Sequence, residues 1–243
     1  MPEGPSIVLA REAVEPFKGR KVLSVEGNTS IEKERLLNKT VLDFKSWGKH
    51  FLVCFKNLTL RIHFLMFGSY TVNERKDRAV RLRLVFTNGE LNLYNCSLKL
   101  LEGDINSIYD WSADVLNDSW DAKAALRKLH EKSQVIVCDA LLNQDIFAGV
   151  GNIIKNEVLF RVLVHPASTV GKIPENKLRE IVMEARNYSF DFLEWKRNYV
   201  LRKHWLVHTK KECPRCGSRI IKEYMGKTNR RTFFCENCQV KYE

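Results

Sequence analysis

No stretch of the 243-residue chain approaches the run of about 18 consecutive apolar residues that a membrane-crossing helix needs. A spanning helix is therefore excluded. The chain starts Met1-Pro2-Glu3-Gly4-Pro5, with an acidic residue and two prolines where a secretory leader has basic residues and then an apolar run. No leader is expected, and the expected location is the cytoplasm. Internal repeats and low-complexity tracts are also missing, so neither a solenoid nor a compositionally biased tail is indicated. Acidic residues are in short supply: 29 Asp and Glu face 40 Lys and Arg, for a net charge of +11. Such a surplus attracts polyanions and favours nucleic acid or an anionic membrane as partner. What is present fits a soluble globular protein. The chain is 44% hydrophobic and 28% charged, and it is long enough for one large domain or two to three small ones with real cores.

Pro5 suits a first helical turn, and Ile7, Ala10, Val14 and Phe17 recur at helical spacing until Gly19. From Val22 to about Leu101 the pattern becomes short β-rich runs: 41–44, 51–55, 58–62, 80–86 and 91–94. Asn88-Gly89 marks a hairpin between the last two. Many short strands at this spacing predict an antiparallel sandwich or barrel. Beyond about residue 118 the periodicity is helical, with helices predicted over 122–132, 136–142, 153–160 and 174–195. A basic segment, 196–211, follows.

Four of the seven cysteines lie close to the carboxyl end. Cys213-Pro214-Arg215-Cys216 and Cys235-Glu236-Asn237-Cys238 are two C-x-x-C knuckles, and two such knuckles complete a tetrahedral zinc site. A cytosolic chain disfavours the alternative of two local disulfides. With four thiolate ligands and no open position, one Zn²⁺ would be structural. It would supply the folding energy that a fragment this small lacks. Lys222, Lys227, Arg230 and Arg231 in the spacer, beside Phe233 and Phe234, suggest a β-hairpin presenting cations to a phosphate backbone; the plainer alternative is a solvated basic loop. Cys54, Cys96 and Cys138 stand in apolar runs as small buried hydrophobes.

Gly149-Val150-Gly151-Asn152 joins two apolar helices and opens the second. Exposed N–H groups at a helix start bind phosphate, but a lone G-x-G is not a dinucleotide fingerprint. On local sequence a phosphate-touching helical hairpin and a plain structural turn are both open. Pro2, once Met1 is removed, would expose a secondary amine. An α-amino group titrates near 8, so roughly a tenth or more is neutral and nucleophilic at pH 7. Glu3, one residue away, is placed to move protons. Spacing alone favours a simple helix cap.

Together these segments resemble the family of formamidopyrimidine-DNA glycosylase and endonuclease VIII, over essentially the whole chain. The resemblance rests on Pro2-Glu3-Gly4-Pro5, Trp47-Gly48-Lys49, the stretch from Ile62 to Gly68 and Leu141-Leu142-Asn143-Gln144. It continues through Gly149-Val150-Gly151-Asn152-Ile153 to the cysteine tail with Arg230-Arg231-Thr232-Phe233-Phe234-Cys235. It implies an α+β multidomain fold in three parts. These are an N-terminal antiparallel β-sandwich domain with a leading helix (1–117), a helix-two-turn-helix DNA-binding domain (118–208) and a zinc-finger hairpin (209–243). It further implies a bifunctional DNA glycosylase and abasic-site lyase of base excision repair, working by a Schiff base and β,δ-elimination. Pro2 would be the nucleophile, Glu3 the general acid/base and Lys49 the catalytic lysine. His63, Asn152 and Arg230 would grip phosphates flanking the lesion. Arg230 is preferred to Arg231 because it lies five residues before Cys235. Leu65, Met66 and Phe67 would form the wedge that fills the gap left by a flipped nucleotide; without the resemblance they read as buried strand. The implied partner is double-stranded DNA carrying damaged bases or abasic sites, bound by a monomer of bacterial type associated with the nucleoid.

Departures from the family pattern bear on substrate. Ser6 stands where many relatives carry a second glutamate, and no Asp-Pro-Arg-x-Phe-Gly segment appears near 104–118. Gly4 in place of leucine, with the short 196–211 stretch, leans toward the endonuclease VIII branch and oxidised pyrimidines. An 8-oxoguanine or formamidopyrimidine preference, a catalytically silent reader of damaged DNA and a ribosomal or transcription-type zinc-ribbon protein are the alternatives. The last leaves the amino-terminal motif and the glycine loop without a role.

Overall fold

The computed structural model describes residues 2–243, and these divide into two compact units, the first ending at Asp110 and the second running Trp111–Glu243. The leading helix α1 (Gly4–Val14) ends in a single 3-10 turn at Glu15–Phe17, where Pro16 cannot continue the ladder. Ile7, Ala10, Val14 and Phe17 are all at most 1% exposed, as the spacing predicts. That buried stripe packs on a six-stranded antiparallel sheet of order β1-β5-β6-β4-β3-β2. Its strands are β1 (Ser24–Glu26), β2 (Asp43–Trp47), β3 (His50–Phe55), β4 (Leu58–Val72), β5 (Leu82–Phe86) and β6 (Gly89–Glu102). The predicted hairpin near residue 88 is present. Its two-residue loop is Thr87-Asn88, because Phe86 pairs with Gly89.

Strands β4 and β6, with 15 and 14 residues, run far beyond the apolar runs that announce them. Their pairing is interrupted once. Phe64 pairs with Cys96 and Ser69 with Tyr94, so Leu65, Met66, Phe67 and Gly68 stand opposite Asn95 alone. Surplus residues on one strand leave the ladder and bend the chain outward. Leu65, Met66 and Phe67 are accordingly 42%, 56% and 74% exposed, where a continuous strand would have buried alternate ones. Gly68 closes the bulge. A Cβ there would lie 2.7 Å from the Asn95 carbonyl oxygen and 2.8 Å from the Leu65 nitrogen.

The second unit is built on α2 (Ala122–Glu131), α3 (Val137–Leu142), α4 (Asn152–Arg161) and α5 (Glu175–Arg197), followed by the hairpin β7 (Ile221–Met225) and β8 (Arg230–Phe234). Asp121 caps α2, accepting from the amides of Lys123 at 2.8 Å and Ala124 at 3.0 Å. The apolar stripes of these helices meet in one core that includes Leu129, Leu141, Phe147, Ile154, Ile181 and Tyr188. Residues 111–117 belong to this unit rather than to the sheet. Ala148 N–H donates to the Ala113 carbonyl, and Arg186 Nη1 donates to the carbonyls of Val115 and Asn117. No helix among the described residues is long and apolar enough to cross a membrane.

Gly68→Ala should cost about 1–3 kcal/mol through overpacking of the bulge. The measurement is the urea unfolding midpoint, which should fall with no change in slope; an unchanged midpoint would contradict the tight closure described.

Candidate nucleic-acid interface and metal centre

In the first unit, Glu3 occupies the N-cap position of α1 in extended conformation, and its carbonyl accepts from the Ser6 amide at 2.8 Å. Its side chain makes no capping bond, yet the residue is only 2% exposed. A carboxylate buried at the positive end of a helix is favoured by the dipole there. Pro2, immediately before it, is half-buried. Met1, whose removal would free the Pro2 amine, lies outside the described residues. Lys49 sits with Gly48 in the two-residue turn between β2 and β3, closed by the Trp47–His50 pair. Gly48 supplies the left-handed φ of 52° that the turn requires.

The register places His63 on β4 directly across from His50 on β3. Burial first, and then the nearby charges of Lys49 and Arg61, push the His63 imidazole below its ordinary value. His50 is pushed further, to about 4, mainly by burial and then by Arg61 and His63. It is therefore neutral at physiological pH. The Tyr109 hydroxyl, whose own pKa is raised by burial, lies within hydrogen-bonding distance of His50 Nδ1, at 3.3 Å. Trp47 closes the cluster: its Nε1 donates to the Asp110 carbonyl at 2.9 Å, and its ring stands 5.0 Å from that of Tyr109. Three members, His50, Arg61 and Tyr109, were not singled out from sequence. Arg61 and His63 alternate in an otherwise apolar run and so share one face of β4, which was the available signal.

In the second unit, the glycine loop is held by Gln144. Its Oε1 accepts from the Gly149 amide at 3.1 Å and its Nε2 donates to the Leu142 and Val150 carbonyls. Gly149 adopts φ 100° and Gly151 is the N-cap of α4. Asn152 opens that helix, but its Nδ2 donates to the Arg231 carbonyl at 2.8 Å. In this structure its side-chain donor thus joins α4 to β8. Two further residues of α4 extend the same seam. Lys155, fully buried, donates from Nζ to Thr232 Oγ1 at 2.8 Å, and Asn156 Oδ1 accepts from the Phe233 amide at 3.4 Å. Glu157, also fully buried, accepts from the amides of Leu206, Val207 and His208 at 2.8–3.0 Å and so anchors the chain leading to the cysteines. Satisfying buried charges this way is what makes them tolerable in a core.

Arg230 begins β8 after a turn held against α3, where the Lys227 amide donates to Asp139 Oδ2 at 2.9 Å. Its guanidinium has no partner among the described residues, so it is available to an anion. The four cysteines that the spacing pairs are brought together, with all four sulfurs within 4.8 Å of one another. Cys213 Sγ lies 3.8 Å from that of Cys238, and Cys216 Sγ 3.5 Å from that of Cys235. Tetrahedral thiolates about 2.3 Å from a zinc ion stand roughly 3.8 Å apart, whereas a disulfide needs about 2.05 Å. The donor set fits a metal. Phe160, Val207, Ile220 and Phe233 pack around Cys213 and Cys235 as a small core of their own.

Two family models match the chain: "Formamidopyrimidine-DNA glycosylase N-terminal domain" over residues 1–99 and "Formamidopyrimidine-DNA glycosylase H2TH domain" over residues 112–188. Among curated relatives, Endonuclease 8-like 3 of Mus musculus is 30% identical over 84% of this chain and 36% of its own length. Endonuclease 8-like 2 of Bos taurus is 31% identical over 74% of this chain and 58% of its own length. The chain therefore spans about a third to three-fifths of these relatives. The formamidopyrimidine-DNA glycosylase of Lactobacillus helveticus (strain DPC 4571) is 26% identical over the full length of both chains. Among solved structures, a Lactococcus lactis formamidopyrimidine-DNA glycosylase, non-covalently bound to DNA containing an AP site, superposes with a TM-score of 0.87 at 24% identity. That match covers 98% of this chain and 100% of the other, and the fold is shared.

Because the folded chain holds His50 neutral down to about pH 4 while an unfolded imidazole titrates near 6.5, the unfolded state takes up protons first on acidification. Stability is full above pH 6.5 and is lost as pH falls from there toward 4, by about 2 kcal/mol at pH 5. His50→Gln should remove that part of the pH dependence of unfolding; an identical dependence in the variant would refute the assignment.

Proposed function

We propose that this chain, which belongs to the formamidopyrimidine-DNA glycosylase and endonuclease VIII family, is a bifunctional DNA glycosylase and abasic-site lyase of base excision repair. The observation that carries the reading is the bulge of β4. It holds three large apolar side chains in solvent, one residue beyond Phe64 and two beyond His63, on a strongly basic protein. Exposed apolar clusters mark contact sites. A wedge of this kind offsets the few kcal/mol that flipping a nucleotide costs.

In the proposed reaction the neutral amine of processed Pro2 attacks C1′ of the extruded nucleotide, and the base leaves with a proton. Opening of the sugar gives an iminium, which acidifies the C2′ proton. Removal of that proton expels the 3′ phosphate, a second elimination expels the 5′ phosphate, and water then releases the amine. Glu3, buried beside Pro2, is the proposed acid/base, and Lys49 assists on phosphate and proton transfer. His63, Asn152 and Arg230 are the proposed phosphate contacts. For Asn152 this requires its amide to leave or share the Arg231 carbonyl. The neutral His63 imidazole can donate a hydrogen bond without bringing a charge of its own. We further propose that the bound metal is zinc, a structural cross-link for the hairpin that carries Arg230. The proposed functional division is chemistry on the sheet unit that ends at Asp110, DNA binding over 111–208, and 209–243 for the finger. Gly4, Ser6 and the short 196–211 stretch favour oxidised pyrimidines as substrates.

Duplexes bearing thymine glycol, dihydrouracil, 8-oxoguanine or an abasic site test this. Nicking with phosphate at both ends of the gap, fastest for the pyrimidine lesions, is expected; binding to all four without any strand scission would leave a silent reader of damage. Chelation should release the β7–β8 hairpin and weaken DNA binding while the six-stranded sheet stays folded. Undiminished affinity after demonstrated metal loss would contradict the role given to the ion.

A further inference from the structure

The β7–β8 hairpin has two faces, because side chains alternate along each strand. Arg230 and Thr232 share the face on which Thr232 meets Lys155. Arg231 and Phe233 turn the other way, and so does Lys222, which is paired with Phe233. On that second side lies an open groove of about 750 Å³. Lys210, Lys211, Arg219, Lys222 and Arg231 line it, Phe233 and Ile220 give it an apolar floor, and Glu212 is its one carboxylate. None of the five cationic head groups has an ion-pair partner among the described residues. Elsewhere on the surface arginines are commonly matched, as Arg75 and Arg83 are by Glu90.

Five unpaired cations around one concavity repel one another, and an anionic occupant relieves that repulsion. A lone small anion carries too little charge to offset all five. A phosphodiester chain, with one charge at each successive phosphate, matches a line of cations along a groove, and its sugars suit the apolar floor. We propose that this groove binds a run of nucleic-acid backbone separate from the phosphates met by Arg230, giving the metal-stapled hairpin a DNA contact on each face. The proposal rests on the reading of the chain as a DNA-binding enzyme and adds a second contact region to it.

The test compares the wild-type chain with Lys210→Gln/Lys222→Gln. Both are surface lysines outside the proposed catalytic and lesion-gripping groups. Binding is measured against salt on a long undamaged duplex and on a short duplex centred on an abasic site. Two lost phosphate contacts should reduce the log–log salt slope on the long duplex by roughly 1.8. Binding and single-turnover cleavage of the short duplex should stay at the wild-type level. Metal content and the unfolding midpoint verify that the variant is folded; should it not be, the single Lys210→Gln and Lys222→Gln variants are each expected to lower the slope by about 0.9. An unchanged slope on long DNA overturns the proposal. So does an equal loss on short and long DNA, which would make the groove part of the lesion contact. Failure of the wild-type chain to cleave would sink the enzymatic reading and leave the slope comparison intact.

Discussion

The burial of α1 against the sheet is the constraint on which the proposed chemistry depends. Ile7, Ala10 and Val14 have almost no exposure, so the start of the helix has little freedom of position. Pro2 and Glu3 are fixed as a consequence: the first precedes the cap, and the second is the cap. A nucleophile on a free chain end would lose conformational entropy each time it met substrate. One set at the mouth of a packed helix has that ordering done during folding. The buried carboxylate beside it stands in a less polar setting than water, where a proton donor or acceptor acts over short range.

A comparable economy holds the second unit together. Asn152, Lys155 and Asn156 lie along α4 and bind Arg231, Thr232 and Phe233 in succession. The seam places β8 by directed polar contacts, which specify register as apolar packing alone does not. Glu157, next along the helix, gathers three backbone amides of the approach to the cysteines. One helix thus carries the glycine loop at its start and the cysteine module along its side. That module packs its own small core on Phe160, so the helix restrains it by apolar contact as well as by the polar seam.

Much of this was legible in the residues. The spacing of Ile7, Ala10, Val14 and Phe17 gave α1, and two C-x-x-C knuckles gave the cluster of four thiols. The four long helices fell within one or two residues of their predicted limits. The illegible parts have physical causes. A period-two pattern states which face a residue occupies but not where a ladder skips, so spacing alone reads Leu65-Met66-Phe67 as buried strand; the family resemblance set them apart, and the register between Phe64 and Ser69 shows why they are exposed. Strands β4 and β6 continue through polar residues because each supplies hydrogen bonds to the other far beyond the reach of β3 and β5, and composition does not record that. Lys155 looks like any solvated lysine in a list of 40 basic residues. The approach of Thr232, 77 positions away, gives the buried ammonium a hydrogen-bond acceptor that no local pattern announces.

The claim that organises all of this is that the amine of Pro2 is the attacking atom. Borohydride reduction of the chain on abasic-site DNA, followed by peptide mass spectrometry of the trapped adduct, tests it most directly. The account predicts a single modified peptide whose added mass sits on Pro2, and no adduct from a chain that retains Met1. An adduct on a lysine side chain, or one formed equally well with Met1 in place, would contradict it.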